Sequence, residues 1–255
     1  MKSNFLIGLM TIIWLLLMAN IIWQGTNGNW NVEDVEKIGQ LEVAKFTNQV
    51  IIVSVSEDET SLCFYEKIEG DDEISVEERQ TKSEIGIGIN QEKDKWKLVL
   101  ETEAVIGRNG LGKTKEGDGK TPVGVFRFIK AFGILENPGA KMEYTRVDET
   151  HYWVDDSASK YYNQFISKND VIQDWKSAEH LCEYGESYHY VLATSYNAER
   201  IPGRGSAVFL HCLSKESNVT AGCIAIPEVY MRTIMQRVDE DCVLIIDFRE
   251  NILGY

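Results

Sequence analysis

"FLHCLSKESNVTAGCIAIP", Phe209 to Pro227, holds one of the chain's four histidines and two of its five cysteines. His211 and Cys212 are adjacent, and Cys223 follows Gly222 a short loop later. Three chemistries use such residues: a metal site, a disulfide staple, and a nucleophile with its base. Strand geometry sorts them. In "GSAVFLHC", Gly205 to Cys212, side chains alternate between two faces, so Phe209 and His211 share one face while Val208, Leu210 and Cys212 share the other. Two neighbours on opposite faces do not ligate one ion without distortion, and no CxxC or HxxxH pair compensates, so no metal is expected. A Cys212–Cys223 disulfide stays open, because geometry and not separation decides it.

Cys223 has a different setting. Gly222 permits a tight turn and leaves N–H groups to face a reacting atom. In "CIAIP", Ile224 and Ile226 share one face and Cys223 and Ala225 the other, so the thiol projects from the end of a buried strand. A free thiol is mostly protonated at neutral pH, and a nearby imidazole that takes the proton yields a strong nucleophile. His211 is the histidine on the neighbouring strand-like segment. On pattern alone, a Cys223–His211 dyad and a packed cysteine beside a hydrogen-bonded histidine fit equally well.

Working outward, "PEVYMRTIMQRVD" predicts a helix with Pro227 in its first turn and a Met231, Ile234, Met235, Val238 stripe. "QVIIVSV", "SLCFYEKI", "KWKLVLETEAVIG", "TPVGVFRFIKAFG", "YHYVLATSYN" and "CVLIIDF" read as strands. "DWKSAEHLCEYG" reads as a short helix closed by Gly185, with His180 as a surface or packing residue. The sum is a strand-rich α+β domain over residues 43–255, with an acidic loop or insertion at 66–95.

At 255 residues the chain buries a core without cysteine staples. A net charge of −14 argues against nucleic-acid binding, which needs clustered Lys and Arg. Phe5 to Trp23 is uncharged and long enough for a transmembrane helix; residues 1–26 are read as an anchor, with a cleaved signal peptide as the alternative, and 27–42 as a polar tether. Lys2 precedes the apolar span and Glu33, Asp34 and Glu36 follow it, so the bulk of the protein is expected outside the cytoplasmic membrane. "GRNGLGKT", Gly107 to Thr114, satisfies the phosphate-loop pattern, but Gly117, Gly119 and Pro122 leave no room for the helix that such a loop requires. No nucleotide partner is expected.

The histidine strand, a short loop and then "TAGCI" resemble the L,D-transpeptidase catalytic domain, the YkuD-like domain of bacterial cell-wall enzymes. "EGDGKTPVGVFRF", Glu116 to Phe128, resembles the upstream TP-x-G-x-F segment of the same family. The resemblance covers about Ala104 to Phe248. It implies a β-sandwich-like domain with a few flanking helices, no cofactor, Cys223 as nucleophile, His211 as base, and Thr220 and Gly222 as supports of the nucleophile's turn. It also implies a substrate: stem tetrapeptides of peptidoglycan, opened to a thioester that passes to a side-chain amine in a cross-link. Hydrolysis of the thioester gives a carboxypeptidase instead, and loss of turnover a wall-binding scaffold.

Two departures stand out. Many relatives carry histidine where Ala221 stands and arginine where Ala225 stands, so substrate orientation falls to another cation: Arg204, Lys215 or Lys113. The short His211–Cys223 loop implies a reduced lid. Tyr152 and Trp153, beside His151, are candidates for lining a glycan or peptide groove. Asp155 and Asp156 are adjacent and expected to point apart, unlike a glycosidase pair.

Overall fold

The computed structural model describes residues 32–68, 95–215 and 218–255. The apolar stretch Phe5 to Trp23 and most of the acidic 66–95 segment lie outside these residues. Among the described residues no helix is long and apolar enough to cross a membrane. The chain divides into Met1–Asp34 and Val35–Tyr255, and apart from the start of one helix all that follows concerns the second unit. Part of the expected tether is folded there: Ile38 and Leu41 are buried. Glu66, at the edge of the expected insertion, belongs to a strand and is held by Arg237 and Lys97.

Among the described residues twelve strands carry the fold, with few helices. Strand β1 (Gln49–Val55) is apolar almost throughout because it is covered on both faces, between parallel β12 (Val243–Phe248) and antiparallel β2 (Thr60–Lys67). Beyond β2 lies β3 (Trp96–Glu103). On the other side, β12 pairs with the first half of β4 (Gly124–Gly133), at Gly124 to Arg127. The second half of β4 pairs instead with β9 (Val191–Thr194), through an irregularity between Phe128 and Lys130. One strand therefore passes from one half of the sheet to the other, as strands do at the corners of sandwiches. From β9 the order runs to β10 (Phe209–Cys212) and β11 (Ile224–Ile226), while β5 (Tyr144–Arg146) adds to β4.

The sheet then closes on itself. Val105, just past β3, pairs with Ala225 of β11 through two backbone hydrogen bonds of 2.8 Å each. Its inner side chains form one core that joins Ile51, Phe64, Leu192, Leu210, Ile224 and Leu244, strands from both halves. Helix α1 spans Val32–Ile38; α2 (Glu228–Arg237) packs Met231, Ile234 and Met235 into the core, with Val238 beside them. The stripe read from the sequence faces inward, and Pro227 caps the helix from outside its first turn.

A second, three-stranded sheet has β6 (His151–Val154) between β7 (Phe165–Ser167) and β8 (Ala178–His180). This corrects the helix expected over "DWKSAEHLCEYG": Ala178 to His180 pair with β6, and two 3-10 turns, Leu181–Glu183 and Gly185–Tyr188, follow. Aromatic and β-sheet contacts, including Tyr152 stacked on His180 at 4.4 Å, override the local helical pattern.

The seam depends on one buried hydroxyl. Thr121 Oγ1 accepts the Gly107 N–H at 2.9 Å and donates to the Gly222 carbonyl at 2.9 Å. Gly107 itself has no alternative, since a Cβ there would meet the Gly119 carbonyl at 2.5 Å. Thr121→Val strands both backbone groups and is expected to lower unfolding free energy by roughly 2–5 kcal/mol, while Thr121→Ser retains most of it. Urea denaturation of the three proteins checks this.

Candidate active site

The seam delivers Cys223 to a defined place. In the parallel pairing of β10 and β11, Leu210 stands opposite Ile224 and His211 opposite Ala225. Leu210, Cys212, Ile224 and Ile226 enter the central core, while Phe209 and Cys223 belong to a second cluster on the other face. The alternation read from the sequence holds. Cys212 is turned away from Cys223, and all five cysteines are free thiols, so the disulfide left open is absent.

Gly222 adopts a φ of +150°, which favours glycine, and a Cβ there would lie 2.7 Å from the Lys120 carbonyl oxygen. Thr220 Oγ1 donates to the Cys223 carbonyl at 2.7 Å and accepts the Gly222 N–H at 3.1 Å. That N–H, expected to be free to face a reacting atom, is therefore occupied. The thiol donates to the Ala207 carbonyl at 3.1 Å, and the Phe209 N–H donates to Sγ at 3.4 Å. Ala207 is held at a φ of +51°, costly for a residue with a Cβ. Asn163 fixes it by accepting the Ala207 N–H at 3.2 Å, and its carbonyl oxygen also takes the Trp153 indole N–H at 2.9 Å.

His211 and Cys223 line one cavity of about 280 Å³, together with Glu179, Tyr184, Tyr188 and Thr220. Both residues are buried, at 8% and 9% exposure, so the cavity is their access to ligands. The His211 Nδ1–H donates to the Cys212 carbonyl at 2.9 Å, which leaves Nε2 as the basic nitrogen. Burial pulls the imidazole down to about 4, against the Cys212 and Ser187 carbonyls, which favour its charged form. Burial and the charge of Glu179 push the Cys223 thiol up to about 12, against the Phe209 N–H and Lys113. At neutral pH the two residues thus rest uncharged, a thiol and an imidazole that border the same cavity. The cavity is walled both by the segment from Glu179 to Tyr188 and by the short loop after His211, at Leu213, Ser214 and Val219.

A second cavity, of about 170 Å³, meets Cys223 from the side of Lys113, Glu116, Asp155 and Ser206. Of the three cations considered, Lys113 alone lines a cavity that reaches Cys223, and it is held in a buried ion pair with Asp118 at 3.0 Å. Arg204 lines a separate cavity near Val125 and Tyr196. Lys215 is exposed, pairs with Glu186 at 3.2 Å, and borders a neighbouring cavity that shares Tyr184 and Ser187 with the first. The expected groove aromatics are elsewhere: Trp153 is buried against Phe209 and Phe132, and Tyr152 stacks on His180 under Lys168.

The rejected phosphate loop has its own explanation. Thr114, Lys115 and Lys120 donate backbone N–H groups to the Asp118 carboxylate at 2.8, 3.1 and 3.1 Å. Burial works against that carboxylate's charge, yet these donors and Lys113 hold it well below the usual range. The loop's anion site is filled by its own side chain.

Residues 89–246 match the family described as YkuD, the L,D-transpeptidase catalytic domain. Among solved structures, the chain is similar to the helical cell shape determining protein Pgp2 from Campylobacter jejuni, at 14% identity over 84% of this chain and 56% of that one, with a TM-score of 0.39. It is similar to L,D-transpeptidase 1 from Mycobacterium tuberculosis at 12% identity over 78% and 60%, with a TM-score of 0.33. L,D-transpeptidase 3 of that organism, in complex with a faropenem-derived adduct, gives 14% over 78% and 60%, with a TM-score of 0.33. The chain therefore spans less than two thirds of each of these proteins. No curated protein matches it.

The electrostatics of the pair predict a spectroscopic result. Because the thiol is raised, its thiolate is absent at neutral pH and forms only as pH climbs toward about 12. The ultraviolet difference spectrum between the wild type and Cys223→Ala is expected to lack a thiolate band at neutral pH. A band there means a standing thiolate–imidazolium pair instead.

Proposed function

The chain belongs to the L,D-transpeptidase catalytic-domain family, and from that premise we propose that it is a cysteine acyltransferase of peptidoglycan stem peptides, with Cys223 as nucleophile and His211 as base. The observation that carries this reading is the shared cavity: thiol and imidazole lie on one sheet face and border the same space. The family's members are cysteine-dependent enzymes.

The residues suit the chemistry as follows. A stem tetrapeptide lies in the larger cavity with its last peptide bond over Cys223. His211 Nε2 takes the thiol proton as Sγ attacks the carbonyl of the diamino acid. The imidazolium so formed is supported by the Cys212 and Ser187 carbonyls. It returns the proton to the leaving amine, terminal D-alanine departs, and a thioester remains on Cys223. An amine on a neighbouring stem then displaces the sulfur and forms a new amide. A neutral resting pair protects the thiol from side reactions until a carbonyl is presented. Thr220, Gly222 and Thr121 fix the turn that carries Cys223.

The proposal includes a location. Phe5 to Trp23 holds the catalytic domain at the outer side of the cytoplasmic membrane, where stem peptides are exposed.

Incubation of the full chain with tetrapeptide muropeptides tests the activity. Loss of terminal D-alanine together with new dimers is expected. Cys223→Ala is expected to abolish both, and His211→Ala to slow them by about 10²–10⁴-fold. Tripeptide products without dimers in the presence of amine acceptors indicate a carboxypeptidase. Absence of any turnover by the folded protein contradicts the enzymatic reading and favours a wall-binding role.

A further inference from the structure

The reaction above leaves one half-buried carboxyl beside Cys223 unused. Glu179, in β8, lines both cavities that meet at Cys223. Its Oε2 accepts a hydrogen bond of 2.5 Å from the Tyr188 hydroxyl, and the Tyr188 ring packs edge-on against His211 at 5.6 Å. A carboxylate beside a thiol opposes ionisation of that thiol, so its placement hinders the first half of the reaction. Its service must lie elsewhere.

The smaller cavity shows what that service is. Glu116, Asp155 and Glu179 all border it, against one cation, Lys113, which is already paired with Asp118 at 3.0 Å. Glu116 is engaged, accepting the Tyr162 and Ser206 hydroxyls at 2.6 and 2.8 Å. Asp155 is not: its Oδ1 is buried with no hydrogen-bond partner among the described residues. A buried carboxylate oxygen without a donor is unfavourable, and a ligand bringing positive charge and N–H groups relieves it. Burial, Asp155 and Glu116 together raise the Glu179 carboxyl to about 7, against the Tyr188 hydroxyl, so it exchanges a proton near neutrality.

We propose that Glu179 receives the second substrate as a primary ammonium group, in the cavity it shares with Asp155, and takes a proton from it for attack on the Cys223 thioester. The inference rests on the proposed acyl-enzyme chemistry. The ammonium gives one proton to the Glu179 carboxylate and becomes a neutral amine. The amine nitrogen attacks the thioester carbonyl, the C–N bond forms and the C–S bond breaks. The second amine proton passes through His211 to sulfur, restoring the thiol, and Glu179 releases its proton to solvent. Water brings no positive charge for these carboxylates to hold, so Glu179 and Asp155 favour amines over water at the thioester.

The test forms the acyl-enzyme of the full chain with a tetrapeptide donor. It then measures amide product against hydrolysis, using the side-chain amine of Nα-acetyl-lysine amide as acceptor. Glu179→Gln keeps an acceptor for the Tyr188 hydroxyl and removes the charge. It is expected to lower the amide-to-hydrolysis ratio about tenfold or more, the loss of one charge-assisted contact, while the acylation rate stays within about twofold or rises. Asp155→Asn is expected to raise KM for the amine without slowing acylation. An unchanged ratio in Glu179→Gln overturns the inference, as does a parallel fall in acylation and amide formation. Hydrolysis alone by the wild type at every amine concentration also overturns it, while leaving a carboxypeptidase. Failure of the wild type to form any acyl-enzyme removes the proposed function and this inference with it.

Discussion

Closure of a single curled sheet at Ala225 is the constraint on which the site depends. The two ends of the sheet meet where Val105 and Ala225 exchange backbone hydrogen bonds, two residues after Cys223. Sulfur position is therefore fixed by sheet closure and not by a flexible loop. Thr121 ties Gly107 on one side of the seam to Gly222 on the other, and Thr220 braces the turn from within. Sites built on strands hold geometry better than sites on loops, which matters when misplacement by about 1 Å slows chemistry by orders of magnitude. The segment TPVG thus acts as a clamp on the backbone that carries Cys223.

Burial then sets the chemistry. The same packing that fixes His211 and Cys223 takes both out of water, lowering the imidazole to about 4 and raising the thiol to about 12. Neither charge is favourable alone, so in the proposed reaction proton transfer accompanies attack on a bound carbonyl. The Cys212 and Ser187 carbonyls favour the imidazolium that this transfer creates. Glu179 adds negative charge at the junction of the two cavities, unfavourable for a thiolate and favourable for an ammonium. The asymmetry separates the two sides of Cys223: apolar and aromatic toward Tyr184 and Val219, acidic toward Glu116 and Asp155.

Period-two and period-3.6 patterns carried much of this architecture. Alternation in Phe209 to Cys212 and Cys223 to Ile226 put His211 and Cys223 on one face, because each strand separates two apolar clusters. The α2 stripe was equally readable. The cover over the site was not. Residues 174–185 have helical spacing, but pairing of Ala178 to His180 with β6 and the Tyr152–His180 stack decide their conformation, and these partners are remote in sequence. That error hid Glu179, since on a surface helix it reads as a solvated acid. Asp118 and Asn163 were hidden for a related reason: each collects backbone groups from loops, which leaves no periodic trace. Trp153 was misplaced because a Tyr-Trp pair suggests a sugar platform, while its strand turns the indole inward.

The central claim is that Cys223 reacts covalently from the cavity it shares with His211. Intact-mass analysis of the full chain after exposure to a carbapenem tests this most directly, since a nucleophilic thiol opens the strained β-lactam and keeps it as a covalent adduct. The account expects a single adduct on the wild type, none on Cys223→Ala, and slower formation on His211→Ala. An adduct that survives Cys223→Ala, or a folded wild-type protein that takes up no drug at all, contradicts it.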